Sequence, residues 1–338
     1  MKLSRLLLPV YLIILLPLAA GGWFYIGWME RPLPVASPLE FRVSSGMGVR
    51  KVARALTEAG APVSEDMLVL AARAEEILSG RKHEIQLGCY ALTPGMTPRH
   101  LLRMMAEGKV LQVDVKLIEG WTFREWRRTV AAHEGLEHVT ASMSDAELMQ
   151  KIGLPGQSPE GMFFPDTYRV GKYSSDLELF AYAAREMKTH LEREWNAREA
   201  NLPYVSPYQA LIMASIVEKE TGLAKDRAMV AGVFVNRLRM GMRLDTDPSV
   251  IYGLGESYRG TLYRSDLRTD TPYNTYMRAG LPPTPIATPS LASIQAALHP
   301  AKTNAIFFVA KGDGSSYFST SLPEHNQAVQ YYLRSRGK

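Results

Sequence analysis

The stretch YQALIMASIVEKETG, residues 208–222, decides how the rest of the chain is read. Ser206 and Pro207 stand just before it, a capping residue followed by proline at the first helical position. Ile212, Met213, Ile216 and Val217 fall on the faces that Leu211, Ala214 and Ser215 leave, so the helix is apolar nearly all round and must be buried. It then presents two glutamates, Glu218 and Glu220, before Gly222. At about 100° per residue, Glu218 shares a face with Leu211, Ala214, Ser215 and Gly222, where small residues leave room. Its place near a helix C-terminus, facing the negative end of the helix dipole, would raise a carboxylate's pKa and suit it to general acid catalysis. An ion pair with an arginine such as Arg237 would explain the same residue structurally. Glu220 lies about 160° away around the helix and reads as a surface or salt-bridging residue.

Working outward, the 338 residues suffice for one large or two medium domains. Hydrophobic residues make up 46% and charged residues 22%, which is globular composition with enough apolar surface for a sizeable core. The net charge of +5 includes no long Lys/Arg cluster, so no nucleic-acid partner is implied. A single cysteine, Cys89, excludes an intramolecular disulfide and a multi-cysteine zinc site. Residues 1–31 begin with Lys2 and Arg5 and continue with an apolar run from Leu6 to Trp28, about 23 residues, long enough for a bilayer core of about 30 Å. The leading charges place the N-terminus in the cytoplasm, with Trp23, Tyr25 and Trp28 at the far interface. The expectation is a retained single-pass anchor in the cytoplasmic membrane with the body outside it. A cleaved signal peptide is the alternative.

A proline-rich linker, 32–38, follows. Residues 39–118 then read as strand (LEFRV), helix (GVRKVARALTEAG, closed by Gly60), helix (SEDMLVLAARAEEIL, capped by Ser64) and strand (GCYAL), followed by another helix and the strand VLQVDVKLI. Residues 119–338 are mainly helical, with a loop-rich region between Arg243 and Pro289 and a hairpin turning at Gly312-Asp313-Gly314. The fold class is therefore α+β, with a small mixed subdomain and a larger helical one.

Other motifs carry less. HEGLEH, residues 133–138, is one residue too long for a zinc-binding helix pair, and GLGESYRG lacks dinucleotide spacing. No cofactor or metal is implied. Asp245, Asp247 and Asp270 are the candidates for a second carboxylate, with Asp247 as the water-activating base of a hydrolase, although Asp247-Pro248 also reads as a turn or helix cap. In YNTY, the aromatics Tyr273 and Tyr276 flank Asn274 and Thr275, a composition that suits stacking on a sugar and hydrogen bonding to it; a loop tie would use the same residues.

Taken together, ASIVEKETG, GVFVNRLRMGMRLDTDPSVIYGLG (232–255), TPYNTYMRAGLPP (271–283), IATPSLASIQAALHPA (286–301), FFVAKGDGSSYFST (307–320), HNQAV (325–329) and PEGMFFPDTY (159–168) resemble the YceG-like family of endolytic murein transglycosylases. The resemblance spans essentially the whole chain. It implies that the β-α-α-β unit is a LysM-like, amino-sugar-binding subdomain and that the glutamate of SIVEKE, taken as Glu218, is the catalytic acid/base. Asn236, Asp247, Glu220 and the YNTY residues are the expected glycan contacts. The implied substrate is the peptidoglycan glycan strand, cut within the chain with formation of 1,6-anhydro-N-acetylmuramic acid so that elongation ends. The implied partners are peptidoglycan synthases and the elongation or division machinery. A muramidase-type hydrolase and a non-catalytic glycan-binding scaffold are the alternatives.

Overall fold

In the computed structural model, residues 3–80 and 84–336 are described, except for the side chains of 3–14, 79, 335 and 336. The chain divides into two compact units, one of Met1–Val113 with Arg169–Ser174, the other of Asp114–Tyr168 with Ser175–Lys338. Each is mixed in secondary structure, and among the described residues the strands form only two-stranded sheets.

The first unit begins with helix α1 (Leu3–Met29) and continues through β1 (Leu39–Val43), α2 (Val49–Glu58), α3 (Glu65–Ser79), β2 (Gly88–Leu92) and α4 (Pro98–Ala106). Among the described residues no helix is long and apolar enough to cross a membrane. The expected span from Leu6 to Trp28 lies in part outside the described side chains. The last turn of α1 belongs to the unit's core, since Met29 is fully buried there and Arg99 bridges Glu30 and Glu75.

Strands β1 and β2 pair antiparallel, with Phe41 opposite Tyr90 and their rings stacked. The two helices between them are delimited as the sequence indicates. Gly60 takes φ +102° just after α2, a conformation that a side chain would strain, and the Ser64 hydroxyl accepts from the Met67 amide at the start of α3. Val52 and Leu56 from α2, Leu68 and Ala71 from α3 and Leu101 and Met105 from α4 close the core beneath the strands. Cys89 is free and buried, and burial pushes its thiol pKa up.

After β3 (Gln112–Leu117) come α5 (Phe123–Ala131), β4 (Leu136–Glu137), α6 (Asp145–Lys151), β5 (Asp166–Gly171), β6 (Ser174–Ser175) and the long α7 (Asp176–Asn196). Then follow α8 (Pro207–Glu220), α9 (Ala224–Arg239), α10 (Asp247–Leu254), α11 (Leu291–Leu298), the hairpin β7 (Phe307–Ala310) and β8 (Ser316–Ser319), and α12 (Leu322–Arg336).

The second unit is built around α8. Every residue from Ala210 to Val217 is buried, packed among side chains of α7, α9 and α11. Burying each large apolar side chain on it contributes about 1.5–3 kcal/mol. Ser206 caps the helix by accepting from the Gln209 amide, and Pro207 opens it. Its end differs from the expected glycine stop. Thr221 turns the chain extended at φ −145°, and its hydroxyl accepts from the Leu223 amide.

The region from Arg243 to Pro289 is also more ordered than its composition suggests. It contains α10 and two single turns of 3-10 helix. Fully buried Asn274 organises it, donating to the Leu267 and Thr269 carbonyls and accepting from the Tyr276 amide.

Candidate active site

The last turn of α8 carries both glutamates, and the fold treats them differently. Glu218, only 6% exposed, accepts from the Ser290 amide (2.9 Å) and the Ser290 hydroxyl (2.5 Å), while the Arg227 guanidinium stands 4.0 Å away. Ser290 is the N-cap of α11. The room expected beside Ala214 and Ser215 is therefore filled: Ser215 donates to the Ile212 carbonyl and accepts from the Ile286 amide. The negative end of its own helix is countered by the positive N-terminus of α11. Glu218 pairs with Arg227, and the Arg237 named from sequence goes elsewhere.

Glu220 corrects the sequence reading, because it is no surface residue. It lines a cavity of ≈ 440 Å³ together with Arg237, Asp245, Asp247, Tyr276, Phe307 and His325. Its Oε1 accepts from the hydroxyl of buried Thr246, the N-cap residue of α10. Burial drives its pKa up to about 7; the Thr246 hydrogen bond opposes the shift, the Asp247 charge adds to it and Arg237 opposes it. A carboxylic acid that is half protonated near neutral pH and opens on a cavity is suited to general acid–base work. Helical geometry put Glu220 on a different face from Glu218, and it could not show that this face looks into a cavity built by β7, α10 and α12.

The remaining residues divide between wall and scaffold. Asp247 opens α10, with Thr246 before it as cap, and accepts from the Tyr276 hydroxyl at 2.7 Å. Burial, and then that bond to Asp247, push the Tyr276 phenol pKa up. Both side chains line the cavity.

Asn274 and Thr275 do not. Asn274 is fully buried, and Thr275, also buried, shares a hydrogen bond with Ser249 and accepts from the Thr246 amide. These two are the loop tie, because buried amides and hydroxyls must find partners and here the partners are backbone and neighbouring hydroxyls. Tyr273 turns away from the Glu220 cavity, its hydroxyl 3.0 Å from that of Thr284 and its ring edge-on to Tyr252. Asn236 faces another cavity and holds the Thr303 and Ala305 carbonyls.

Sequence reasoning gave Arg237 another role and passed over His325 and Glu160. Arg237 fastens the cavity's edge by donating to the carbonyls of Ile306, Arg243 and Leu244 and to the Asp245 carboxylate. His325 lines the cavity from α12. Buried Glu160 is a second carboxyl raised to about 7, by burial first, but it accepts from the Phe123 amide at the start of α5 and from the Tyr252 hydroxyl. Its context, PEG before a loop, carried no signal that distinguishes it from a surface glutamate.

The arrangement sets the Glu220 carboxyl, raised to about 7, in a polar, aromatic-edged cavity of the mainly helical second unit. The chain belongs to the YceG-like family, whose sequence pattern matches residues 41–331. It is 39% identical over 180 residues to the endolytic murein transglycosylase of Bacillus subtilis (strain 168), a match covering 53% of this chain and 49% of that protein. It is 25% identical over 364 residues to the endolytic murein transglycosylase of Streptococcus pneumoniae serotype 2 (strain D39 / NCTC 7466), covering 96% of this chain and 65% of the relative. The chain thus spans between about half and two thirds of the length of these relatives. The crystal structure of a YceG-like protein from Listeria monocytogenes superposes with a TM-score of 0.54 at 26% identity, covering 87% of this chain and 99% of that one.

Two outcomes follow from this geometry. Because the folded pKa of Glu220 is raised above 4.5, its contribution favours folding below pH 4.5 and is lost as pH rises towards 7. Glu220→Gln should therefore gain stability relative to the wild type between pH 5 and pH 8, by on the order of 2 kcal/mol, in paired denaturant titrations. Asn274→Ala should lower stability by about 1–3 kcal/mol, since it leaves buried carbonyls without a donor. An unchanged denaturation midpoint would remove the loop-tie assignment.

Proposed function

We propose that the chain is an endolytic peptidoglycan lytic transglycosylase, and that Glu220, rather than Glu218, is its acid/base. The observation that carries the assignment is the Glu220 carboxyl, raised to about 7 and lining a cavity, whereas the Glu218 carboxylate is occupied by the cap of α11. The names of the B. subtilis and S. pneumoniae relatives support the substrate class, a murein glycan strand.

In the proposed reaction Glu220 gives its proton to the oxygen joining N-acetylmuramic acid to N-acetylglucosamine, and the bond from that oxygen to the muramic C1 breaks. The muramic C6 hydroxyl attacks C1, and its proton returns to Glu220. The product end is a 1,6-anhydro sugar, and no water is consumed. Intramolecular attack benefits from a high effective molarity. Asp247 and Tyr276 would contact the sugar from the cavity wall. The first unit is proposed as the LysM-like module that holds the strand. Cutting a nascent strand this way would terminate its elongation, and the family resemblance supports partnership with peptidoglycan synthases and the elongation or division machinery.

Asp247 beside Glu220 favours one other reading, a muramidase-type hydrolase in which Asp247 activates water. The two readings separate on the product. With purified glycan strands in ¹⁸O-labelled water, mass spectrometry should find 1,6-anhydro ends without label, while labelled reducing ends would establish the hydrolase. Glu220→Gln should lower cleavage by roughly 10²–10⁴-fold with the fold kept. Glu218→Gln should mainly cost stability by weakening the cap of α11. The reverse pattern would return the acid/base role to Glu218.

We also propose that α1 anchors the protein in the cytoplasmic membrane, with the N-terminus inside and the body outside. Leu15, Leu16, Leu18, Trp23, Phe24 and Ile26 are all exposed on this helix, an apolar surface that water does not favour. The full chain should sediment with membranes and resist extraction by salt, whereas a chain beginning at Pro38 should stay in the supernatant. A mature N-terminus after Ala20 would instead indicate a cleaved signal.

A further inference from the structure

His325 belongs to the cavity that holds Glu220, yet neither the carboxylate chemistry nor the scaffold described above uses it. It sits in the first turn of α12, and its ring stacks on Phe307 with centroids 5.1 Å apart and planes at 21°. The same Phe307 ring lies under the Arg237 guanidinium, 5.1 Å from the ring centroid, and Arg237 is itself tied to three backbone carbonyls. The imidazole is thus fixed in orientation by groups that are themselves fixed.

Its two nitrogens differ. Nδ1 is buried with no hydrogen-bond partner, which leaves Nε2 as the nitrogen available to the cavity that the ring lines. Burial lowers the pKa of the ring, and the Arg237 charge lowers it further, so the imidazole is neutral at physiological pH. A buried N–H without an acceptor is rarer in folded proteins than a buried acceptor without a donor. The single proton therefore belongs on Nε2, and Nδ1 keeps its lone pair. What remains is one N–H donor on a rigid ring, in a cavity whose other polar walls include the carboxyl groups of Glu220, Asp245 and Asp247.

We propose that His325 is a substrate-binding residue of this site, its Nε2–H donating to a sugar oxygen, a hydroxyl or acetamido carbonyl, of the glycan that Glu220 protonates. The assignment rests on the proposed function for its ligand class and on the ring's placement for its role. Ionised carboxylates engage sugar hydroxyls only as donors, so a cavity rich in acids needs N–H donors to fix the sugar's acceptor oxygens. The Arg237 guanidinium is largely spent on backbone carbonyls and Asp245, Asn326 is exposed, and His325 offers a donor held in orientation by Phe307. Burial and Arg237 weaken the ring as a base while burial strengthens Glu220, so the imidazole does not take the Glu220 proton.

The test uses the full chain carrying Glu220→Gln and measures binding of a GlcNAc–MurNAc tetrasaccharide by calorimetry. Adding His325→Phe keeps an aromatic ring on Phe307 but removes the donor, and binding should weaken by roughly three- to tenfold. Adding His325→Gln places an amide N–H near the position of Nε2 and should restore most of that loss. Thermal melts of each variant establish that it is folded. Equal binding by the phenylalanine variant would overturn the proposal, as would equal loss in the glutamine variant, which would make the ring a packing element. Absence of any tetrasaccharide binding to the Glu220→Gln protein would overturn it too. Should Glu220→Gln alone still cleave strands, the acid assignment fails, while the binding ratio still decides the role of His325.

Discussion

The burial of α8 is the constraint on which the second unit depends. An apolar helix carried into a core brings its C-terminal turn with it, and that turn holds two carboxyl groups which cannot be left unpartnered. The fold answers with two later helix starts. The N-cap of α11, Ser290, takes Glu218, and the N-cap of α10, Thr246, takes Glu220. Each contact ties α8 to a segment far along the chain, so the carboxyl groups help to set where α10 and α11 begin.

The two ends are not equivalent. Glu218 receives an amide and a hydroxyl from one residue, with Arg227 at the edge. Glu220 receives a single hydroxyl and has Asp247, another carboxylate, as its neighbour. Two glutamates about 160° apart around one helix turn are thereby sorted, in the proposed reaction, into a structural anchor and a proton carrier by what packs against each. The same division runs through the polar loop: Asn274 and Thr275 spend their hydrogen bonds on backbone and on Ser249, which stiffens the segment that presents Tyr276 to the cavity.

Much of the scaffold was legible in the sequence because its signals are local. Ser64, Ser206 and Pro207 mark helix starts through chemistry confined to one turn, and the all-round apolar surface of 210–217 requires burial whatever the topology. The site was only half legible, for a physical reason. A helical wheel gives the face on which a glutamate lies but not what covers that face. The small residues beside Glu218 leave room on that face, and the segment leading into α11, with Ile286 and Ser290, fills it. The composition of YNTY is the same whether an amide ties a loop or grips a sugar, and only the carbonyls of Leu267 and Thr269 decide between them. His325 gave no signal, because its meaning depends on Phe307 and Arg237, which meet it only in three dimensions.

The neighbour of Glu220 bears on how one carboxyl can act twice. In the proposed reaction it must first be an acid and then, within the same turnover, a base. A carboxyl near its ordinary pKa would hold too little proton at neutral pH to begin, and once ionised it would take a hydroxyl proton weakly. Burial and the Asp247 charge raise the cost of the ionised state, which fills the acid form beforehand and strengthens the base afterwards. Asp247 is held in place for this by the Tyr276 hydroxyl, a donor that also occupies one of its oxygens. An aspartate so engaged acts through its charge on Glu220 without having to touch water, and a single-carboxyl mechanism then needs no second proton-transfer group.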